Sequence, residues 1–99
     1  MGDRSLRAQW AETERLLRIA LAEVESRLGG FTRKSIVDFL DANELGLAHE
    51  TLVEAILTDE LPISDGAYEA LARAAALMDL SDWSKAELSQ LLNKTSRGR

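Results

Sequence analysis

Between Arg4 and Leu28, apolar residues recur at Leu6, Trp10, Leu17, Leu21, Val24 and Leu28, a mostly three-or-four spacing that keeps one face of a helix apolar. The pattern predicts a long amphipathic first helix. Leu16 and Ala20 widen its stripe at one edge, and Glu14/Arg18 and Glu23/Arg27 have the acid-first i,i+4 order that favours ion pairing. Gly29 and Gly30 then offer the left-handed backbone that helix ends prefer. Thr32 is the expected N-cap of a short second helix reaching about Asn43, with Ile36, Val37, Phe39 and Leu40 inward and Asp38 and Asp41 on the opposite arc. Arg33 and Lys34 at its start oppose the helix dipole, which costs about 0.3–1 kcal/mol before solvent screening.

Asn43, Glu44 and Gly46 mark a break, and Leu47 to about Glu60 reads as a third helix. At about 100° per residue, His49, Leu52, Val53 and Ile56 share one arc, Glu50, Thr51, Glu54 and Thr58 share the other, and Leu57 lies at the boundary. Pro62 stops this helix, because it lacks a backbone donor and disfavours helical geometry at Leu61. Ser64 is the expected cap of a fourth helix, Asp65 to Met78, with Tyr68, Leu71, Ala72, Ala75 and Met78 inward and an alanine-rich face that permits close approach. After a connection from Asp79 to Asp82, Ser84-x-x-Glu87 is a capping-box pattern for a last helix to about Asn93 that turns Leu88, Leu91 and Leu92 inward. Trp83, just ahead of that cap, is placed to pack back on the body. No strand alternation of useful length, internal repeat or low-complexity block is present. Short loops between such helices predict an all-α fold, a compact bundle of about five amphipathic helices, as a single domain over 1–94 with a flexible basic tail at 95–99.

Composition narrows the chemistry. With no cysteine, disulfides, thiolate catalysis and cysteine-ligated metals are excluded. No apolar run approaches a signal-peptide core or a membrane span, so a soluble, cytoplasmic protein with no membrane role is expected. The net charge of -5 disfavours nucleic acid and favours a basic partner. Its distribution is more telling than its sum. From Ser35 through Ala72 there are nine Asp or Glu residues and no Lys or Arg, while all twelve basic residues lie in the flanks.

The single histidine, His49, is the only side chain that titrates near neutrality without perturbation, but its arc with Leu52, Val53 and Ile56 makes it a core or core-edge residue with a local hydrogen bond. Val53, not a ligand, stands four residues after it, so metal spacing is absent. Glu50 and Glu54 are helical neighbours, yet Thr51, Ala55 and Thr58 around them suggest an open surface and not a catalytic cleft. Gly29-Gly30 lacks the context of a phosphate loop. A helix-turn-helix around Gly46 would present Glu50, Glu54 and Asp59 to phosphate and repel it. The chain is therefore expected to be no enzyme and to need no cofactor or metal. The acids Asp38, Asp41, Glu44, Glu50, Glu54 and Asp59, which lie in the segment from Ser35 through Ala72 without Lys or Arg, are the expected partner-binding residues, with no internal partner expected for Asp41, Glu50 and Glu54.

The run Glu44-Leu45-Gly46-Leu47-Ala48-His49-Glu50-Thr51-Leu52, followed by Leu61-Pro62-Ile63-Ser64, Tyr68, and Met78 ahead of Trp83, resembles the MafI-type immunity proteins, small cytoplasmic partners of bacterial polymorphic toxins. The resemblance covers about residues 36 to 92. That family tends to carry an aromatic residue where Leu45 stands and an apolar one where His49 stands. The resemblance implies an immunity protein that binds the toxic C-terminal domain of a cognate effector, often a nuclease, and neutralises it. A nuclease presents cations to its substrate, so an acidic inhibitor suits the same surface. A monomer is expected in the free state. The alternative is a non-catalytic helical adaptor or self-associating module that pairs through Leu6, Trp10, Leu17, Leu21 and Val24.

Overall fold

The computed structural model describes residues 2–80 and 83–92, with side chains from Leu6 onward. Five α-helices follow one another: α1 (Gly2–Val24), α2 (Gly30–Asp41), α3 (Leu45–Thr58), α4 (Asp65–Leu77) and α5 (Lys85–Ser89). A single 3-10 turn, Glu25–Arg27, follows α1. α1 packs chiefly on α4 and also touches α3, α2 packs on α3, and α5 closes against α3 and α4. Outside the helices, Ile63 and Leu92 form an isolated parallel bridge, in which the Ile63 N–H donates to the Leu91 carbonyl at 3.1 Å. The fold is the all-α bundle that the hydrophobic pattern predicts.

α1 holds α4 at both ends. Near the C-terminal end of α1, Glu23 accepts hydrogen bonds from the Ser64 backbone N–H at 2.8 Å and the Ser64 hydroxyl at 2.6 Å. The Ser64 Oγ in turn accepts from the Ala67 N–H at 3.1 Å, so the expected N-cap of α4 is made and is itself held by a carboxylate. The negative charge also suits the positive end of the α4 dipole. Near the other end of α1, the Gln9 side-chain amide donates to the carbonyl of Leu77, the last residue of α4. Gln9 and Glu23 lie about 21 Å apart along α1, which matches the rise of about 20 Å expected for the 13 residues of α4. The two helices are therefore antiparallel and in register.

This register sets which residues of α1 are buried. The inward stripe is Thr13, Leu16, Leu17, Ala20, Leu21 and Val24, so Leu16 and Ala20 are central and not marginal. Leu6 and Trp10, expected inward, are 45% and 46% exposed. α4 ends level with Gln9, and the part of α1 before it runs past its partner. Thr13 fills the gap that the sequence leaves between Trp10 and Leu17, and its hydroxyl donates to the Gln9 carbonyl at 2.8 Å, which satisfies a buried polar group. On α4 the buried residues are Ala67, Ala70, Leu71, Ala74 and Ala75, while Tyr68, Ala72 and Met78 are only partly covered. Small side chains let the α1 leucines approach, and the bulkier ones flank the contact.

The helix ends depart from expectation in a consistent way. Gly29 has φ -64° and ψ 151° and serves as the N-cap of α2, which begins at Gly30 and not at Thr32. No glycine adopts a positive φ among the described residues; Asn43, Glu60 and Asp79 do, at 60°, 51° and 59°. Each follows the C-cap of α2, α3 or α4 and carries the same pair of hydrogen bonds. Asn43 N–H donates to Leu40 and Glu44 N–H to Phe39; Glu60 to Leu57 and Leu61 to Ile56; Asp79 to Ala76 and Leu80 to Ala75. These bonds satisfy carbonyls that a helix end leaves orphaned. α3 therefore stops at Thr58, ahead of Pro62, and the turn is made by Glu60. Ser84 stands at the N-cap of α5 with ψ 55° and no side-chain capping bond, so the expected capping box with Glu87 does not form. α5 ends at Ser89, short of the expected Asn93, and Leu88 and Leu91 are still buried. The tail at 95–99 lies outside the described residues.

Glu23→Ala and Ser64→Ala are each expected to lower stability by about 1 kcal/mol, with a coupling energy of about 0.5–1 kcal/mol in a double-mutant cycle of denaturant unfolding. Strict additivity would show that the two groups do not act together. Glu60→Gly relieves a left-handed side-chain-bearing residue and is expected to raise stability by about 0.5–1 kcal/mol, a few degrees in Tm by calorimetry. An unchanged or lowered Tm would contradict the strain.

Candidate functional site

All six acids expected to face a partner are exposed. Asp38 and Asp41 project from α2, Glu50 and Glu54 from α3, and Glu44 and Asp59 flank α3 as its N-cap and C-cap residues. The fold separates them into two kinds. Lys34 Nζ lies 3.1 Å from Asp38, and Arg18 bridges Asp41 at 3.1 Å and Glu14 at 2.8 Å. The expectation that Asp41 lacks a partner within the protein is thus corrected: the cation comes from α1, distant in sequence and adjacent in space. Both pairs are exposed and contribute little to stability, but they dilute the charge of α2. Glu44 makes no side-chain capping bond, so its carboxylate does not serve the α3 N-terminus. Among the described residues no ion pair reaches Glu44, Glu50, Glu54 or Asp59.

Glu50 and Glu54 do not stand on the open face that their sequence neighbours suggest. A groove of about 500 Å³ runs between α3 and the chain that links α4 to α5. Its α3 side is His49, Glu50, Val53, Glu54 and Leu57, and its other side includes Asp79, Leu80 and Trp83. A smaller hollow of about 240 Å³, lined by Thr32, Thr51, Glu54, Ala55, Thr58 and Asp59, lies beyond. Glu54 borders both. The left-handed turn at Asp79 reverses the chain after α4 and brings Asp79 and Trp83 opposite α3. Nothing in the local pattern around Glu50 signals them.

His49 is buried with Leu52, Val53 and Ile56, as its arc predicts. Its Nε2 lies 3.2 Å from the Leu71 carbonyl. A carbonyl oxygen only accepts, so Nε2 carries the proton and donates it. The Trp83 ring meets the imidazole edge to face, with centroids 5.1 Å apart and planes at 78°, which fixes the indole against α3. Burial lowers the His49 pKa from 6.5, and the bond to Leu71 partly opposes that shift. The imidazole proton is committed to a backbone carbonyl, while the nearby carboxylates of Glu50, Glu54 and Asp79 belong to exposed residues.

Among the described residues, no three His, Cys, Asp or Glu side chains converge to hold a metal ion, and no helix is long and apolar enough to cross a membrane. No protein-family model, curated protein or solved structure matches the chain.

The buried His49 gives a pH dependence of definite sign. Its folded pKa lies below the unfolded value, so stability is full above about pH 6.5 and is lost as the pH falls toward the folded value, because only the unfolded chain takes up the proton. Between about pH 7 and about pH 5, Tm is expected to fall more steeply in the native protein than in His49→Gln, which retains a donor but cannot titrate. Equal slopes would show that His49 contributes nothing.

Proposed function

We propose that this protein is a non-catalytic immunity protein that binds a basic toxin domain of a bacterial competitor system and neutralises it by occlusion. The observation that carries the reading is the unpaired acidic ridge of α3. Glu44, Glu50, Glu54 and Asp59 have no ion pair among the described residues, and two of them, Glu50 and Glu54, border a groove large enough to admit partner side chains. Asp38 and Asp41 extend the same charge onto α2, where Lys34 and Arg18 moderate it. The resemblance of residues 44–52 and 61–64 to the MafI-type immunity proteins supplies the class of partner, and a nuclease-like domain supplies the cations that such a ridge attracts.

The alternative, self-association through α1, loses much of its surface. Leu17, Leu21 and Val24 are buried within the protein's own core, and only Leu6 and Trp10 of the proposed seam remain open. An adaptor role through those two residues predicts a mass that rises with concentration.

The test reverses charge on the ridge. Glu50→Lys combined with Glu54→Lys is expected to leave the helical circular dichroism intact. Where the neighbouring reading frame encodes a basic C-terminal toxin domain, association with it is expected to slow by about tenfold or more at low salt, with a weaker salt dependence. Unchanged affinity and salt dependence would remove the ridge from the interface. Failure of the native protein to bind or inhibit that domain would remove the immunity role itself.

A further inference from the structure

The groove beside α3 is more specific than an acidic surface. We infer that it is an anchor pocket for one arginine side chain of a basic protein partner, with Glu50, Glu54 and Asp79 facing the guanidinium, Trp83 offering its ring, and Val53 and Leu57 covering the aliphatic stem. This deepens the proposed function and, as to the identity of the partner, rests on it. Three features of the groove select the occupant.

The first is charge. Among the described residues, three carboxylates and no basic residue line the groove, and none of the three is ion-paired. The second is the wall. Val53, Leu57, Leu80 and Trp83 give an apolar and aromatic lining that a hydrated metal ion does not use, whereas a guanidinium on a three-carbon stem does. The third is His49, 1% exposed yet lining the groove. Its Nε2 donates to Leu71, which leaves Nδ1 as a bare acceptor with no partner among the described residues. A buried acceptor there calls for an N–H donor. Arginine supplies five donors in a planar fork, stacks on indole and keeps its charge, which makes it the better match than lysine. The volume of about 500 Å³ leaves room for the backbone that carries the side chain.

The probe is a blocked Gly-Arg-Gly tripeptide, titrated into the full chain and followed by the Trp83 indole and His49 resonances in NMR. The same peptide with citrulline, which keeps the shape and removes the charge, is the control, and spermidine is the competing cation. The arginine peptide is expected to shift both resonances saturably, and the citrulline peptide to bind about tenfold more weakly or not at all. Asp79→Asn and Trp83→Leu are each expected to weaken the arginine peptide about threefold to tenfold. Asp79→Asn keeps the test sound if removal of the indole disturbs the fold. Equal binding of citrulline, shifts confined to other residues, or spermidine binding as tightly as the arginine peptide would overturn the assignment, the last in favour of a polyamine site. If the peptide behaves as expected and no basic domain binds the protein, the immunity reading falls and the pocket stands. If the toxin domain binds and both variants leave it and the peptide unaffected, the pocket falls alone.

Discussion

A carboxylate at one end and an amide at the other make α1 a splint for α4, and the remaining elements take their places from that pair. Glu23 holds the Ser64 cap and Gln9 holds the Leu77 carbonyl, so α4 is fixed both along its axis and in direction. The alanines of α4 then meet the leucines of α1, and Leu71 enters the core. The carbonyl of Leu71 is left facing α3, where it accepts the His49 proton. His49 in turn positions Trp83, and Trp83 forms one wall of the groove. A chain of contacts thus runs from the longest helix to the proposed binding surface, each link a specific hydrogen bond or packed ring. A polar helix-terminus contact has this reach because a small domain has few alternative ways to bury its core.

The sequence was informative wherever the interaction was local. His49, Leu52, Val53 and Ile56 lie within two turns of one helix, so the 3.6-residue period alone reveals their common face. Ser64 caps three residues ahead, again within reach of a local pattern. What escaped was set by partners far along the chain. The phase of α1 depends on where α4 ends, which no residue of α1 encodes. Arg18 neutralises Asp41 across two helices, and Glu23 reaches Ser64 over a separation of 41 residues. The break at Asn43 was legible, but the left-handed turns at Glu60 and Asp79 escaped for a different reason: glycine is the usual signal, and acidic residues stand in its place.

The candidate site divides along the same line. That α3 has an acidic face opposite its apolar one is legible from Glu50 and Glu54 alone. That this face borders a groove is not, because Asp79 and Trp83 arrive only after the chain has run the length of α4 and turned. The charge map in one dimension therefore overstates α2, where cations return from the flanks. It understates α3, where a further carboxylate and an aromatic ring gather.

At Asp79 two demands on one residue conflict. The backbone, at φ 59°, is best served by a residue without a side chain, and the groove is best served by a carboxylate. Asn43 and Glu60 meet only the first demand, since neither lines the groove. A glycine would relax all three turns equally, yet only at position 79 would it also remove a wall group from the cleft. The least strained backbone and the full charge of the groove cannot both be had at this position, so the turn keeps a carboxylate on the wall at a cost in local backbone energy.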